Sequence, residues 1–193
     1  MSLAFDEATH TYRWNGEVRP SVTQVLSKLS SFGMVPPDVL AAAQERGTAV
    51  HTLTQYNDED DLDMASVDPA YSLYLSAWIK FCTQHRTDWR GIEYQSYSPR
   101  FGYAGTMDRY GHLNGQPYVI DIKTGAQSHK VWGMQTAAYR QLLAESIGHE
   151  WMLARRATVQ LRPDGTYKLI AWDDPSDWSA FLALITLTNW SNP

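Results

Sequence analysis

The chain has 193 residues, a net charge of −5 and a pI of about 5.6. A typical domain holds about 150 residues, so we interpret 1–193 as a single domain. Hydrophobic residues make up 44%, including eight Trp and eleven Tyr, which is enough apolar surface to order a core. Domains that hold nucleic acid by charge alone usually have a pI above ~9, so the acidic balance disfavours a sequence-independent DNA coat. An enzyme that gathers carboxylates around divalent ions tolerates this acidity.

The cysteine content and the length of the apolar runs indicate in which cellular compartment the protein is expected. Cys82 is the one cysteine, which excludes an internal disulfide and any four-cysteine zinc or iron–sulfur site. The longest apolar run, 181–187, is far shorter than the roughly 20 residues of a membrane span, and no basic segment leads into an apolar one at the N-terminus. We therefore expect a cytoplasmic protein without membrane contact.

The first half, 1–90, is predicted to be mostly helical after one small hairpin. Asn15-Gly16 suits the type I′ turn of a hairpin between 9–14 and 17–19. The S-x-x-Q pattern at 21–24 predicts a capping box, which opens a short helix to about residue 29.

Two longer helices are expected in the rest of this half. The first runs from Asp38 to about Thr54 and contains Gly47, which costs about 1 kcal/mol against Ala and often marks a close backbone contact. The second opens at Asp68-Pro69, an N-cap and N1 pair, and continues to about residue 83. The acidic segment 57–61 between them is expected to be a solvated loop.

The second half, 91–193, is predicted to hold the sheet. Asn114-Gly115 suits the turn of a hairpin, and 162–165 suits a second one. Trp178 and Trp190, on the closing helix, are expected to pack in the core. The predicted elements are strands at 92–98, 103–109 and 118–122, a helix at 130–146, strands at 157–161 and 167–172, and a helix from 174. This order predicts an α/β (α+β) domain with a central mixed sheet flanked by helices.

Two carboxylates and one ammonium group are predicted to converge on this sheet. Asp121 and Lys123 are two residues apart on one strand and so share a face. Asp108 lies at the end of the partner strand of the hairpin and can reach the same place. Two acids and one main-chain carbonyl can hold a magnesium ion that keeps several waters. The ammonium of Lys123 can orient such a water and stabilise the charge that develops on an attacked phosphodiester.

These residues resemble the PD-(D/E)xK nuclease superfamily, in its RecB-like and phage-exonuclease branch. The segment Arg46-Gly-Thr-Ala-Val-His51 resembles the histidine motif on the helix that precedes the nuclease core. Gln135-Thr-Ala-Ala-Tyr139 matches the Q-x-x-x-Y signature on the helix after the catalytic strand. Tyr12 and the segment 20–26 are similar to the opening of phage proteins related to the mitochondrial genome maintenance exonuclease.

The resemblance implies a restriction-endonuclease-like core and a metal-dependent exonuclease of phage or prophage recombination, replication or repair, in the cytoplasm of a bacterial host. Mg²⁺ or Mn²⁺ is then bound by His51, Asp108, Asp121 and the Ile122 carbonyl, and the family's acid before the hairpin maps, without a distinctive local motif, onto Glu93. The substrate is DNA, as single strands or duplex ends, and a helicase or a single-strand annealing protein is the expected partner. Expected DNA contacts are Gln135 and Tyr139, with the basic residues nearest the motifs: Arg100, Arg109, Lys130 and Arg140.

Several alternatives remain open. A D-x-K pattern alone is more often an ordinary pair on a strand, His51 could be a helix histidine without a ligand, and Tyr139 could pack in the core. At the level of function, the alternatives are a DNA-end-binding module without turnover, a structure-specific endonuclease, and a magnesium-dependent phosphatase, which would leave the Q-x-x-x-Y helix unexplained.

Overall fold

The computed structural model describes residues 2–29, 36–126 and 128–191. A small antiparallel sheet comes first, with β1 (Leu3–Asp6), β2 (Thr11–Trp14) and β3 (Glu17–Arg19) in that order. The predicted hairpin is confirmed, and both turn residues, Asn15 and Gly16, have positive φ angles. Strand β1 was not predicted from the sequence.

Five α-helices follow in the described residues: α1 (Val22–Ser27), α2 (Pro37–Asp58), α3 (Ser72–His85), α4 (Val131–Ser146) and α5 (Ser176–Ser191). The capping box of α1 is confirmed: the Gln24 amide donates to Ser21 Oγ at 3.1 Å, and the Ser21 amide donates to the Gln24 side chain at 3.0 Å. No helix in the described part of the chain combines the length and apolar character that a membrane crossing needs.

Three predictions in this half were wrong in detail. Helix α2 continues through Asp58, so the acidic segment is helical at its start, and the Asp58 side chain is buried rather than solvated. Asp68 caps a turn through the Ala70 amide, and α3 begins only at Ser72. A Cβ on Gly47 would meet no atom within 4 Å, so this glycine marks open space instead of a close contact.

The main sheet has five strands in the order β4 (Thr87–Ser98), β5 (Tyr103–Leu113), β6 (Gln116–Lys123), β7 (Arg155–Leu161) and β8 (Tyr167–Ala171). All neighbours are antiparallel except β6 and β7. Parallel strands need a long crossover connection, and α4 supplies it here. The predicted mixed sheet flanked by helices is confirmed.

The two faces of the main sheet carry separate cores. Alternation along β6 sends Val119 into a cluster with Ala138 and Leu142 of α4, together with residues of α1 and α5. Ile120 and Ile122 point to the other face and pack with residues of α3 such as Trp78 and Phe81, and with α2. Helices therefore cover both faces of β6, and a polar group on this strand is shielded from water.

The N-terminal sheet is joined to the main sheet beside β5. The Ala104 amide donates to the Pro20 carbonyl at 2.9 Å, and Ser21 forms a parallel bridge with Ala104. Tyr12 of β2 packs with Tyr97 of β4 in a third apolar cluster.

The closing helix α5 carries one further correction. Trp178 packs against the α4-side core as expected, but Trp190 is 81% exposed. The two side chains therefore do not form one buried stripe.

Candidate metal centre

A gap between β5 and β6 defines the site. Their ladder runs from Leu113 and Gln116 only as far as Arg109 and Ile120. Beyond that point the carboxylate of Asp108 takes the place of a backbone partner, since its Oδ2 accepts the Ile122 amide at 2.6 Å. The aspartate is thus held in the opening of the sheet by a hydrogen bond to the opposite strand.

Helix α2 brings His51 to this gap. Its Nε2–H donates to the Ile122 carbonyl at 3.0 Å, while Nδ1 lies 3.6 Å from Asp108 Oδ1 and 3.8 Å from Glu93 Oε1. Burial alone would lower the pKa of His51, but the charges of Asp108 and Glu93 outweigh burial and raise this pKa to about 9. Without a cation, the ring is therefore protonated at neutral pH and balances the two carboxylates.

Glu93 reaches the site through a break in β4. The paired residues are Ile92 with Arg109 and Tyr94 with Met107, so Glu93 falls between them without a ladder partner. Its φ of 46° lies in the left-handed region. A non-glycine residue adopts this conformation at a cost of order 1–3 kcal/mol, and such residues cluster at functional sites. His51, Glu93 and Asp108 each offer one atom that could bind a metal, and these three atoms lie within 4.8 Å of one another.

Asp121 and Lys123 lie next to this group on the α4-facing side of β6. Lys123 Nζ donates to Asp121 Oδ1 at 2.8 Å, and Asp121 is fully buried. Its other oxygen, Oδ2, has no hydrogen-bond partner among the described residues. Burial, reinforced by the charge of Asp108 and opposed by Lys123, raises the pKa of Asp121 to about 6. A buried carboxylate oxygen without a donor is costly, and a cation would satisfy it.

The donor set fits a divalent ion. It offers one imidazole nitrogen and the carboxylate oxygens of Glu93 and Asp108. Asp121, also expected as a ligand, is not among these three mutually close residues, but its charge interacts with those of Asp108 and His51. Hard carboxylate oxygens are the ligands of Mg²⁺ and Mn²⁺, and imidazole suits transition metals. The Ile122 carbonyl, also expected as a ligand, accepts the His51 hydrogen bond in this structure.

Gln135 and Tyr139 form the wall of the site on the α4 side. Gln135 Nε2 donates to Tyr139 Oη at 3.0 Å, and both side chains are buried. Burial, with the charges of Asp108 and Asp121, raises the pKa of Tyr139 well above its usual value. The structure thus places the Q-x-x-x-Y pair beside the acids, but the two side chains donate and accept within the protein.

The expectation that Arg109 contacts DNA is wrong. Its side chain is completely buried, with Nε 2.7 Å from Asp58 Oδ2 and Nη1 3.1 Å from Glu93 Oε1. Asp108 and Arg109 are consecutive, yet both contact α2, through His51 and Asp58 respectively. Arg109 pairs with Ile120, whose side chain packs on the α2 and α3 side of the sheet, so the Arg109 side chain faces the same buried side.

The other basic residues lie in different surroundings. Lys130 is exposed, and its Nζ lies 3.5 Å from Asp174. Arg140 Nη1 donates to the Ala154 carbonyl at 3.3 Å, and Arg100 lies over the ring of Phe101. These contacts leave a DNA-binding role for Lys130 and Arg140 as a prediction.

Two polar residues near the site were given no role by the sequence. Asp58 belonged to an acidic run that is usually solvated, and nothing in its local pattern signalled burial. Thr106, two residues before Asp108 on β5, pairs with Tyr12 Oη at 2.6 Å. Burial, and the charges of Glu93 and Asp108, raise the pKa of Tyr12. The N-terminal sheet therefore approaches the site through Tyr12.

Comparison with known proteins supports the fold. The crystal structure of a candidate exonuclease from Eubacterium rectale superimposes with a TM-score of 0.52 over 90% of this chain and 79% of that one, at 12% sequence identity. A second solved structure, SSO0001, gives a TM-score of 0.38 over 78% of this chain and 72% of that one at 14% identity, which is too low to carry an argument. No protein-family model and no curated protein matches the sequence. At such identities the likeness shows the fold alone.

Proposed function

We propose that this protein is a divalent-metal-dependent deoxyribonuclease that hydrolyses phosphodiester bonds at DNA ends. The observation that carries the proposal is the cluster of His51, Glu93 and Asp108 at the sheet opening. The Asp121–Lys123 pair on β6 interacts with it through charge, and one Asp121 oxygen lacks a hydrogen-bond partner among the described residues. The likeness in fold to a candidate exonuclease agrees with it. Within this class, an exonuclease acting in phage or prophage recombination, replication or repair is the specific form we favour.

The residues divide into two roles. His51, Glu93, Asp108 and Asp121 would hold Mg²⁺ or Mn²⁺, with the Ile122 carbonyl available once His51 turns to the ion. A bound ion of this kind polarises a phosphate oxygen and lowers the pKa of a water.

Lys123 acts as a donor. Burial would lower its pKa, but the charges of Asp121 and Asp108 outweigh burial and raise it. Lys123 therefore stays an ammonium at neutral pH, so it cannot accept a proton from water. It can orient the attacking water by a hydrogen bond and stabilise negative charge on the attacked phosphate.

A cleavage assay tests the proposal. End-labelled linear single-stranded DNA, linear duplex and closed circular DNA are incubated with Mg²⁺, Mn²⁺ or EDTA, using the wild type, Lys123→Ala and Lys80→Ala. Lys80 is an exposed lysine of α3 and serves as the matched control. We expect metal-dependent loss of linear DNA by the wild type and Lys80→Ala, and none by Lys123→Ala with an unchanged melting temperature.

Other results point elsewhere. Cutting of closed circles would make the protein an endonuclease. Binding of DNA ends without cleavage under any divalent ion would replace the nuclease by an end-binding module.

A further inference from the structure

A cavity with both polar and apolar lining lies at the end of the main sheet where β6 and β7 finish, next to the metal centre. Its volume is about 400 Å³, within the roughly 300–1,000 Å³ of small-ligand sites. Its lining comes from α2, α3, the ends of β6 and β7, and the loops that follow these strands: Arg46, Tyr74, residues 124–126, and residues 160–164. Gln160 forms part of the floor, where its Nε2 donates to the Gly125 carbonyl at 2.6 Å.

The position of this cavity is set by the parallel pair of strands. Strands β6 and β7 end side by side, and Lys123 lies opposite Gln160 in their register. The carboxyl ends of parallel strands are where open α/β sheets bind ligands. Thr124 directly follows the Lys123 that closes β6, so the cavity begins where the metal centre ends.

Helix α2 connects the two places. Arg46 lies five residues before His51, and Gly47 lies one helical turn before it, on the His51 face. A Cβ on Gly47 would meet nothing within 4 Å, and the same is true of Gly125 at the cavity. Both glycine positions therefore border open space.

The charges around the cavity favour an anion. Arg46 Nε donates to Thr124 Oγ1 at 3.4 Å, which points the guanidinium across the cavity. Neither Arg46 nor Arg162 has an acid within 4.0 Å in the described part of the chain, whereas Arg109 and Arg156 are neutralised by buried aspartates.

One acid, Asp164, lies in the lining. Its Oδ1 accepts from the Thr166 amide and from Thr166 Oγ1, at 2.9 and 2.6 Å, and these bonds lower the pKa of Asp164, so one negative charge stands against the charges of Arg46 and Arg162. Two arginines and a threonine hydroxyl thus face one small space in a chain of net charge −5. Guanidinium groups suit phosphate by geometry as well as by charge.

We propose that this cavity binds a phosphate of the DNA strand that neighbours the phosphate being cut, through Arg46 and Arg162. The inference rests on the proposed function, because it takes the metal centre as the place of cleavage. It adds a positioning role for Arg46.

Binding of single-stranded oligonucleotides over a salt series tests the proposal. Titrations in Ca²⁺, with a gel to check that the DNA stays intact, compare the wild type, Arg46→Gln, Arg162→Gln and the double variant. The control is Arg155→Gln, an exposed arginine at the opposite end of β7. Each lost phosphate contact lowers the salt slope by about 0.7 for a single strand, so we expect a loss of about 0.7 per variant and at least tenfold weaker binding for the double one. Arg46→Lys keeps the charge and should keep most of the slope.

DNA substrates with different ends show whether the bound phosphate is internal or terminal. Circular single strands and linear strands with or without a terminal phosphate are compared. Equal losses on all of them identify an internal phosphate, and losses confined to phosphorylated ends identify a terminal one. A double variant that binds and cleaves like Arg155→Gln overturns the inference while leaving the nuclease intact. If the wild type neither binds nor cuts DNA, the proposed function itself has failed.

Discussion

The carboxylate of Asp58 and the guanidinium of Arg109 form a buried ion pair directly behind the metal centre, with 2.7 Å between Oδ2 and Nε. Trp78 Nε1 also donates to Asp58, at 2.9 Å. Arg109 in turn donates to Glu93 Oε1, so the pair fixes one carboxylate of the candidate site. Glu93 is thus oriented, through Arg109, by Asp58, a residue that sequence patterning assigned to solvent.

Replacing Asp58 tests this support. Asp58→Ala leaves the Arg109 charge buried without its main partner. We therefore expect the free energy of unfolding, measured in urea, to fall by about 3–5 kcal/mol. Asp58→Asn keeps an acceptor and should cost less. Asp61→Ala, at an exposed acid nearby, should change the free energy of unfolding by less than about 0.5 kcal/mol. An equally small effect for Asp58→Ala would show that the pair contributes no support.

Glu93→Gln tests the metal set without relying on catalysis. The substitution keeps the shape of the side chain and removes one negative charge from the group with His51 and Asp108. We expect Mn²⁺ affinity, measured by titration calorimetry, to fall by about 10- to 100-fold, a range that loss of even an outer partner produces. Glu7→Gln, at an exposed glutamate, is the control. Unchanged affinity would remove Glu93 from the set.

The stability of the metal-free protein should depend on His51. The pKa of His51 is raised from 6.5 to about 9 in the folded chain. The folded state therefore binds this proton more tightly, and its contribution is fully present below pH 6.5 and is lost as pH rises through about 9. One pKa unit corresponds to about 1.4 kcal/mol, so the loss is at most about 3.5 kcal/mol.

Urea unfolding in EDTA from pH 6 to 9.5 measures this loss, and His51→Gln should flatten the curve. A metal ion needs the neutral ring, so stabilisation by Mn²⁺ should be larger at pH 8.5 than at pH 6.5. The same pH profile in wild type and His51→Gln would contradict the assignment.

Asp121→Asn should stabilise the metal-free protein while abolishing cleavage. Since burial raises the pKa of Asp121 from 3.8 to about 6, the group is ionised at pH 7.5, but its charge destabilises the folded chain relative to the unfolded one. The neutral amide avoids that cost and still accepts from Lys123, so we expect a gain of about 1–3 kcal/mol in EDTA at pH 7.5. Saturating Mn²⁺ should reduce or reverse the gain. A destabilised Asp121→Asn in EDTA would mean that the Lys123 pair outweighs burial.

Local pattern was sufficient for the strand that carries the chemistry. Asp121 and Lys123 share a face because strand side chains alternate, and the Asn-Gly turn placed Asp108 near them. The break in β4 at Glu93 was not predictable, since a positive φ at a glutamate is imposed by tertiary contacts and leaves no signal in composition. The burial of Arg109 was missed as well, because it depends on the partner Asp58 of α2, 51 residues earlier in the chain. His51 lies 71 residues before Ile122 in the sequence. Local patterns cannot predict a contact over such a separation, so His51 was assigned to the site only from the family resemblance.

The hydrogen bond from Ala104 to Pro20 bears on the order in which the protein assembles. It joins segments more than eighty residues apart and covers the edge of β5 that β6 leaves free. During synthesis, the N-terminal sheet therefore has no docking place until β5 has left the ribosome. Until then, both carry unpaired backbone groups that can join other chains. Refolding at high concentration should accordingly lose protein to aggregation at this step, before the metal centre has formed.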